Sequence, residues 1–278
     1  MTKAMRTQLT ERCFDTGEVM LSYAEGPLTG PPVVLLHGSS SHRQTWGAVI
    51  NALAPAWTVY ALDARGHGNS GRATTGYRFV DFSRDLTAFL RHRVGEPSVL
   101  VGHSLGAMTS IKTAADAPEQ VRALVLEEPA PYLFQEWLRD WVGWAEAHTW
   151  YRLASSGEPA KEMARLLMTL HPRFDETSAD AAARALADVD LAVFDPFFDE
   201  TMAEGFDTDR LLRAIECPVL LIHGAHSHGS AMRPQDVGQV LARLRDCTVV
   251  SFPEQGHNIH RPAARGFVKT LDAFLDDV

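Results

Sequence analysis

Short, nearly continuous apolar runs occur in two parts of the chain, with helical patterns between them. Such runs are typical of strands that are buried on both faces of a parallel sheet. Residues 79–94 illustrate the helical pattern, since Phe82, Leu86 and Phe89 fall on one face. Six apolar runs predict strands, at residues 33–38, 58–63, 98–103, 121–127, 218–224 and 247–253. Strands that alternate with helices predict an α/β fold with right-handed crossovers.

The alternation is interrupted in the middle of the chain, where the pattern is helical and no buried strand is predicted. Trp137, Trp141 and Trp144, for example, are spaced at i, i+4 and i+7. A helical block between two α/β halves indicates an inserted cap. We therefore expect a core made of residues 1–130 and 215–278, with a helical cap at 131–214.

Composition and charge narrow the possible partners. The 278 residues carry a formal net charge of −9, which disfavours binding to nucleic acid or to an anionic membrane. Residues 1–14 lack the apolar stretch of a secretion signal, and the three widely spaced cysteines do not indicate a disulfide framework. We expect a cytoplasmic protein, a monomer or homodimer, whose partner is a small molecule.

The sequence GHSLG at residues 102–106 carries the strongest chemical signal. G-x-S-x-G alone also fits a tight turn, but here it lies between a predicted strand and a predicted helix. In that context the pattern predicts a sharp turn that exposes the hydroxyl of Ser104. Ser104 is therefore the candidate nucleophile.

Two further motifs accompany GHSLG. HGS at 37–39 follows a predicted strand and is similar to an oxyanion loop, and DARGHGNS at 63–70 resembles a family turn written D-x-R-G-x-G-x-S. Together with GHSLG, they make the chain resemble the α/β-hydrolase fold over essentially its whole length. The resemblance implies a mostly parallel eight-stranded sheet flanked by helices, with an inserted helical cap.

A serine nucleophile also requires a base and two N–H donors that stabilise the oxyanion. Serine needs a base at neutral pH, and His257, after the last predicted strand, matches the family order of nucleophile, acid and histidine. The backbone N–H groups of Ser39 and Leu105 are the candidates for the oxyanion hole.

The acid departs from the common family pattern. Its usual place, after the strand at 218–224, falls on Ser227, which carries no charge. In the family's sheet, the strand at 121–127 lies between the nucleophile strand and the strand at 218–224, so the resemblance implies that a glutamate at its end can reach the same side of the histidine. Glu128 aligns with the acid of the resorcylic macrolactone hydrolases, and Glu127 is the alternative. Because adjacent strand residues point to opposite faces, we expect only one of the two to face the histidine.

The segment HGAHSHGS at 223–230 contains three histidines, which invites a metal site. It lacks a carboxylate or cysteine to complete a ligand set, and a serine hydrolase needs no metal. We therefore expect neither a metal nor a cofactor.

Aromatic residues of the predicted cap suggest the class of substrate. Most of them are expected to pack the cap onto the core, but some should line a pocket for a large apolar or aromatic group. The candidates for substrate contact are Phe134, Trp137, Trp141, His37 and His103.

The predicted activity is hydrolysis of a carboxylic ester or lactone through an acyl-enzyme. A C–C hydrolase of β-diketone-type substrates, an amidase and a cofactor-free perhydrolase share the triad and stay open as alternatives. A receptor of this fold that binds a ligand without turnover is a further alternative.

Overall fold

A single mixed sheet forms the centre of the molecule. The computed structural model describes residues 8–171 and 174–278, and within these ranges the sheet has eight strands. The strands are β1 (Thr10–Asp15), β2 (Met20–Glu25), β3 (Pro32–Leu36), β4 (Thr58–Leu62), β5 (Ser98–His103), β6 (Val121–Glu127), β7 (Val219–Gly224) and β8 (Cys247–Phe252). The α/β fold and the mostly parallel eight-stranded sheet are confirmed.

The strand order is β1-β2-β4-β3-β5-β6-β7-β8. The first two strands run antiparallel to their neighbours, and all pairings from β4 to β8 are parallel. The apolar runs located the six parallel strands but not β1 or β2. The mostly exposed β1, with the sequence TERCFD, has no apolar run to reveal it.

The parallel strands are buried on both faces, as their continuous apolar sequences require. Successive side chains point to opposite faces, so β3 places Val34 and Leu36 in one core and Val33 and Leu35 in the other. Helices cover both faces. The carboxyl ends of β3, β5, β6 and β7 therefore lie along one edge of the sheet, where their loops meet.

Helices follow most of the parallel strands, and they also fill the segment between β6 and β7. Their bounds are α1 (Gly47–Leu53), α2 (Phe79–Phe89), α3 (Leu105–Asp116), α4 (Leu133–Glu136), α5 (Val142–Ala154), α6 (Ala160–Leu170), α7 (Glu176–Asp188), α8 (Asp195–Phe198), α9 (Thr208–Ala214), α10 (Pro234–Leu241) and α11 (Ala264–Leu275). A π-helical turn at Leu90–Val94 continues α2, and Gly95 ends it in the left-handed conformation.

The segment between β6 and β7 has a small core of its own. Leu153, Met163, Leu167 and Leu186, which come from α5, α6 and α7, are buried against one another. The predicted core and cap ranges include residues 1–7 and 172–173, which lie outside the described residues. The division into core and cap stays a prediction.

Two further findings concern membranes and cysteines. Over the described ranges, every helix is too short or too polar to span a bilayer. Cys13, Cys217 and Cys247 are free thiols.

Candidate active site

Ser104 lies on a strained turn between β5 and α3. Its backbone has φ 49° and ψ −110°, which is a rare conformation for a residue with a Cβ atom. The flanking glycines allow this turn, because a Cβ at Gly102 would lie 2.5 Å from the backbone of Gly106, and one at Gly106 would lie 2.2 Å from the carbonyl oxygen of Leu36. The turn brings the Ser104 hydroxyl to the edge of the sheet.

Three side chains from separate loops form a continuous chain of hydrogen bonds. The distance from Ser104 Oγ to His257 Nε2 is 2.9 Å, and the distance from His257 Nδ1 to Glu128 Oε2 is 3.2 Å. A carboxylate oxygen can only accept, so Nδ1 carries the proton and the Nε2 lone pair faces the serine hydroxyl. This tautomer is the one that accepts a proton from Ser104.

Glu128 is fully buried, yet its carboxylate is well satisfied. Oε1 accepts hydrogen bonds from Gly224 N (2.6 Å) and Ser230 Oγ (2.7 Å), whereas Oε2 accepts from Ala231 N (2.8 Å) and His257. Glu128 directly follows β6, with a positive φ of 51°. This conformation turns its side chain toward the loop after β7.

Glu127, the alternative acid, makes a different set of contacts. Oε1 accepts from the backbone N–H groups of Ile259 and His260, and Oε2 lies 2.7 Å from His260 Nδ1. Burial alone would raise the pKa of Glu127, but attraction to His260 and these hydrogen bonds outweigh it and hold the pKa below its ordinary value. Glu127 fixes the loop that carries His257 and makes no hydrogen bond to the His257 ring.

His37 fixes the start of the loop after β3. Its Nδ1 lies 2.7 Å from the carbonyl oxygen of Gly38, and its Nε2 accepts from Ala64 N at 3.0 Å. Because a carbonyl only accepts and a backbone N–H only donates, His37 is the neutral Nδ1–H tautomer. Gly38 is required here, since a Cβ would lie 2.6 Å from His103 Nδ1.

His67 fixes the next part of the same loop in the same way. Its Nδ1 lies 2.8 Å from the carbonyl oxygen of Arg65, and its Nε2 accepts from Ser40 N at 3.2 Å. Ser40 has a positive φ of 55°, so this bond supports a strained residue next to Ser39. The turn at 63–70 thus helps to fix the conformation of the loop after β3.

Three histidines around the site are held in their neutral forms. Burial lowers the pKa of His37, His67 and His103 to about 3. His103 donates from Nε2 to the carbonyl oxygen of His257, at 2.7 Å. These rings act as fixed hydrogen-bonding groups in the neutral pH range.

A cavity of about 190 Å³ opens over Ser104. The loops at the sheet edge contribute one wall, which includes Ser39, Ser40, His103, Ser104, Leu105 and His257. The segment between β6 and β7 contributes the opposite wall, which includes Phe134, Trp141, Phe174, Phe194 and Phe197. Leu105 is the first residue of α3, so its N–H has no partner within the helix.

The predicted substrate contacts divide into two groups. Phe134, Trp141 and His103 line the cavity, whereas His37 and Trp137 do not. The prediction is therefore corrected for these two residues. His37 is buried between two loops, and the Trp137 ring packs beneath Arg233 and against His226.

The histidines of the segment 223–230 make separate contacts. His223 Nδ1 lies 2.8 Å from the carbonyl oxygen of Gly224, His226 packs edge-on against Trp137, and His228 is exposed. Within the described part of the chain, no group of three or more histidine, cysteine, aspartate or glutamate side chains is arranged to hold a metal ion.

The same segment holds a residue that the sequence reasoning missed. Ser227 is exposed, whereas Ser230 is buried and donates a hydrogen bond to Glu128. Trp141 was predicted as a pocket residue, and its Nε1 also donates to the carbonyl oxygen of Gly229 at 3.2 Å. Its ring packs edge-on against His257, with 5.1 Å between ring centroids. The spacing of residues along the sequence gives no signal for the contacts of Ser230 and Trp141.

Comparisons with known proteins agree with the fold. Among curated proteins, the chain is 28% identical over 275 residues to 2-(acetamidomethylene)succinate hydrolase of Mesorhizobium japonicum, and the alignment covers 95% of each chain. It is 26% identical over 254 residues to pimeloyl-[acyl-carrier protein] methyl ester esterase of Nitrosomonas europaea, covering 88% of this chain and 95% of the relative.

A solved structure of E-2-(acetamidomethylene)succinate hydrolase superimposes with a TM-score of 0.80 and 22% identity, and the match covers 97% of this chain and all of the other. At this identity the likeness concerns the fold. Residues 31–262 match the family described as the alpha/beta hydrolase fold. The chain therefore belongs to the α/β-hydrolase family and is a hydrolase.

Proposed function

We propose that this protein is a serine hydrolase that cleaves a carboxylic ester or lactone through an acyl-enzyme. The observation that carries the proposal is the chain of hydrogen bonds from Ser104 through His257 to Glu128, at the floor of a cavity with an aromatic wall. Each of the three groups is held by contacts of its own. The resemblance of the Glu128 position to the macrolactone hydrolases stays a prediction.

In the proposed first half-reaction, Ser104 Oγ attacks the carbonyl carbon and passes its proton to His257 Nε2. The carbonyl π electrons move to the oxygen, where the N–H groups of Ser39 and Leu105 stabilise the negative charge. The tetrahedral intermediate collapses, and the alcohol leaves with the proton from His257. Glu128 orients the ring and stabilises its cation during this step.

The second half-reaction reverses these roles for water. Water attacks the acyl carbon while His257 takes one of its protons, and the oxyanion is stabilised as before. Collapse releases the carboxylic acid and returns the proton to Ser104 Oγ. No step requires a cofactor.

Amide hydrolysis is a second candidate on the same residues. The curated relative from Mesorhizobium japonicum is named for a substrate with an acetamido group, and the likeness extends over 95% of both chains. An amine leaving group needs protonation before the C–N bond breaks, and the protonated His257 is the group that would supply the proton.

A hydrolysis screen tests the proposal. The wild type and Ser104→Ala are compared on phenyl esters, γ- and δ-lactones, N-acetyl enamides and vinylogous β-diketones. We expect turnover of at least one ester or lactone by the wild type and a loss of at least about 10³-fold in the variant. Turnover of the enamides or diketones alone would replace the ester proposal, and equal rates for wild type and Ser104→Ala would exclude Ser104 as the nucleophile.

A further inference from the structure

The lining of the cavity includes a basic residue that the proposed chemistry does not use. Among the described residues, its lining includes one arginine, Arg261, and one glutamate, Glu146. Arg261 lies four residues after His257, in the turn that leads into α11, and it is half-buried. It is therefore a basic residue of the cavity lining, on the chain segment that also carries His257.

Arg261 differs from the other buried or paired arginines of the molecule. Arg65 forms a two-pronged ion pair with Asp85, and Arg233 pairs with Asp236 and Glu136. Across the described ranges, Arg261 has no carboxylate within 4.0 Å and no hydrogen-bond partner for its guanidinium. The five donors of this planar group therefore have no acceptor among the described protein residues.

Two acids in this part of the molecule, Asp175 and Glu146, do not form an ion pair with Arg261. Asp175 attracts Arg261 at longer range, but its side chain caps α7 by accepting from Ser178 N at 2.8 Å. Glu146, which also lines the cavity, is half-exposed, and its Oε1 lies 3.9 Å from His171 Nδ1. Burial lowers the pKa of Arg261, and Asp175 only partly offsets this effect. Among the described residues, Asp175 therefore attracts this group only at longer range, and no carboxylate forms an ion pair with it.

We propose that Arg261 binds a carboxylate carried by the substrate at a position away from the bond that is cleaved. A carboxylate matches the forked geometry of guanidinium and gives charge-assisted hydrogen bonds. The rest of the cavity is mostly apolar, so the substrate would be an ester or lactone with an apolar body and an acidic end. This inference rests on the proposed function and makes its substrate class more specific.

Matched pairs of esters test the preference for a carboxylate. On the acyl side, monophenyl glutarate is compared with phenyl 5-methylhexanoate, in which an isopropyl group replaces the carboxylate. On the leaving-group side, 4-carboxyphenyl butyrate is compared with 4-isopropylphenyl butyrate. We expect the wild type to give a higher kcat/KM for the acidic member of at least one pair, and that pair identifies the side on which the carboxylate binds.

Variants of Arg261 test whether this residue causes the preference. Arg261→Gln should lower the acidic-to-neutral ratio of kcat/KM at least tenfold, because a hydrogen-bonded charge pair is lost. Arg261→Lys, which keeps the charge without the fork, should give an intermediate ratio. The matched control is Arg265→Gln, an exposed arginine one turn away, which should leave the ratio unchanged.

A binding measurement separates failure of this inference from failure of the proposed hydrolysis. Glutarate and adipate should raise the Tm of Ser104→Ala but not that of Ser104→Ala combined with Arg261→Gln. If no ester is hydrolysed but this shift is found, the carboxylate site stands and the ester proposal fails. With esters that are hydrolysed, the inference is overturned if neither acidic member is preferred or if Arg261→Gln and Arg265→Gln change the ratio equally. Whether or not any ester is hydrolysed, it is overturned if the Tm shift does not depend on Arg261.

Discussion

The two walls of the cavity are built by different kinds of interaction. The wall at the sheet edge is fixed by directional hydrogen bonds, such as the four that end on Glu128 and the pairs that hold His37 and His67. The wall formed by the chain segment that connects β6 to β7 is fixed mainly by ring contacts. The ring of Phe134, for example, packs against Phe79 and Phe197 at centroid distances of 5.3 and 5.7 Å.

This difference separates two properties of the site. Directional bonds hold reacting atoms within a few tenths of an ångström, which the chemistry requires. Ring contacts fill space and tolerate changes of shape, so they suit the selection of substrate. Substitutions in the first wall should therefore change kcat, stability or pH dependence, whereas substitutions in the second should change KM.

The largest expected effect comes from Glu128→Gln. The amide keeps the size of the side chain but loses the charge that stabilises the His257 cation, so kcat for a phenyl ester should fall by about 10³- to 10⁴-fold. Steady-state kinetics measure the loss, with circular dichroism as the check on folding. Ser227→Ala is the control and should stay within about twofold of the wild type, because surface changes are small. A greater loss for Ser227→Ala would sink the assignment of Glu128.

Glu127→Gln should show the next largest effect, and chiefly on stability. Three N–H groups converge on the Glu127 carboxylate, and removing one partner of a buried charged network costs about 3 kcal/mol. Urea denaturation measures the free energy of unfolding, with the exposed Glu254→Gln as control. If Glu127→Gln lowered kcat more than Glu128→Gln did, the two glutamates would have to exchange roles.

The buried histidines give a dependence of stability on pH. The folded state holds the pKa of His67 at about 3, below its ordinary value of 6.5, so the unfolded chain binds more protons at mildly acidic pH. The free energy of unfolding should therefore fall as the pH falls below 6.5, by about 1.4 kcal/mol per pH unit for each such histidine.

His67→Gln removes one of these groups, so its slope between pH 6 and pH 5 should be shallower by about that amount. Urea denaturation of both proteins at several pH values measures the slopes. Between pH 7.5 and 8.5 they should coincide, since the histidine is neutral in both states there. Equal slopes at acidic pH would contradict the neutral, structural state assigned to His67.

The smallest expected effect belongs to the aromatic wall. Phe134→Leu removes a ring that lines the cavity, and the lost contact of about 1 kcal/mol corresponds to a several-fold rise in KM. Its kcat should stay within twofold of the wild type, because no reacting group moves. Leu166→Ala, on the exposed face of α6, is the control. A large drop in kcat for Phe134→Leu would remove the distinction between the walls.

The sequence predicted the parts of the molecule that depend on local pattern. Buried parallel strands produce apolar runs, and the turn around Ser104 needs small residues at 102 and 106, so both could be recognised. The third side chain was inferred from the absence of an acid at Ser227. Strand alternation by itself does not describe the orientation of Glu128, because this residue lies beyond β6 in a left-handed conformation.

Other features depend on contacts between distant segments, which leave no periodic signal. The hydrogen bond from Ser230 to Glu128 joins residues 102 positions apart, and the contact of Trp141 with His257 joins two loops. The prediction that His37 and Trp137 contact the substrate fails for the same reason. Proximity to a motif in sequence does not decide whether a side chain faces the cavity or packs behind it.

The central claim is that His257 activates Ser104, and labelling with a fluorophosphonate tests it most directly. The probe is added to the wild type, Ser104→Ala and His257→Gln, and the modified peptide is identified by mass spectrometry. We predict that the wild type is modified at Ser104, that Ser104→Ala is not modified, and that His257→Gln reacts at least about 100-fold more slowly, since serine is a weak nucleophile without its base. Modification at another residue, or an unchanged rate in His257→Gln, would contradict the account.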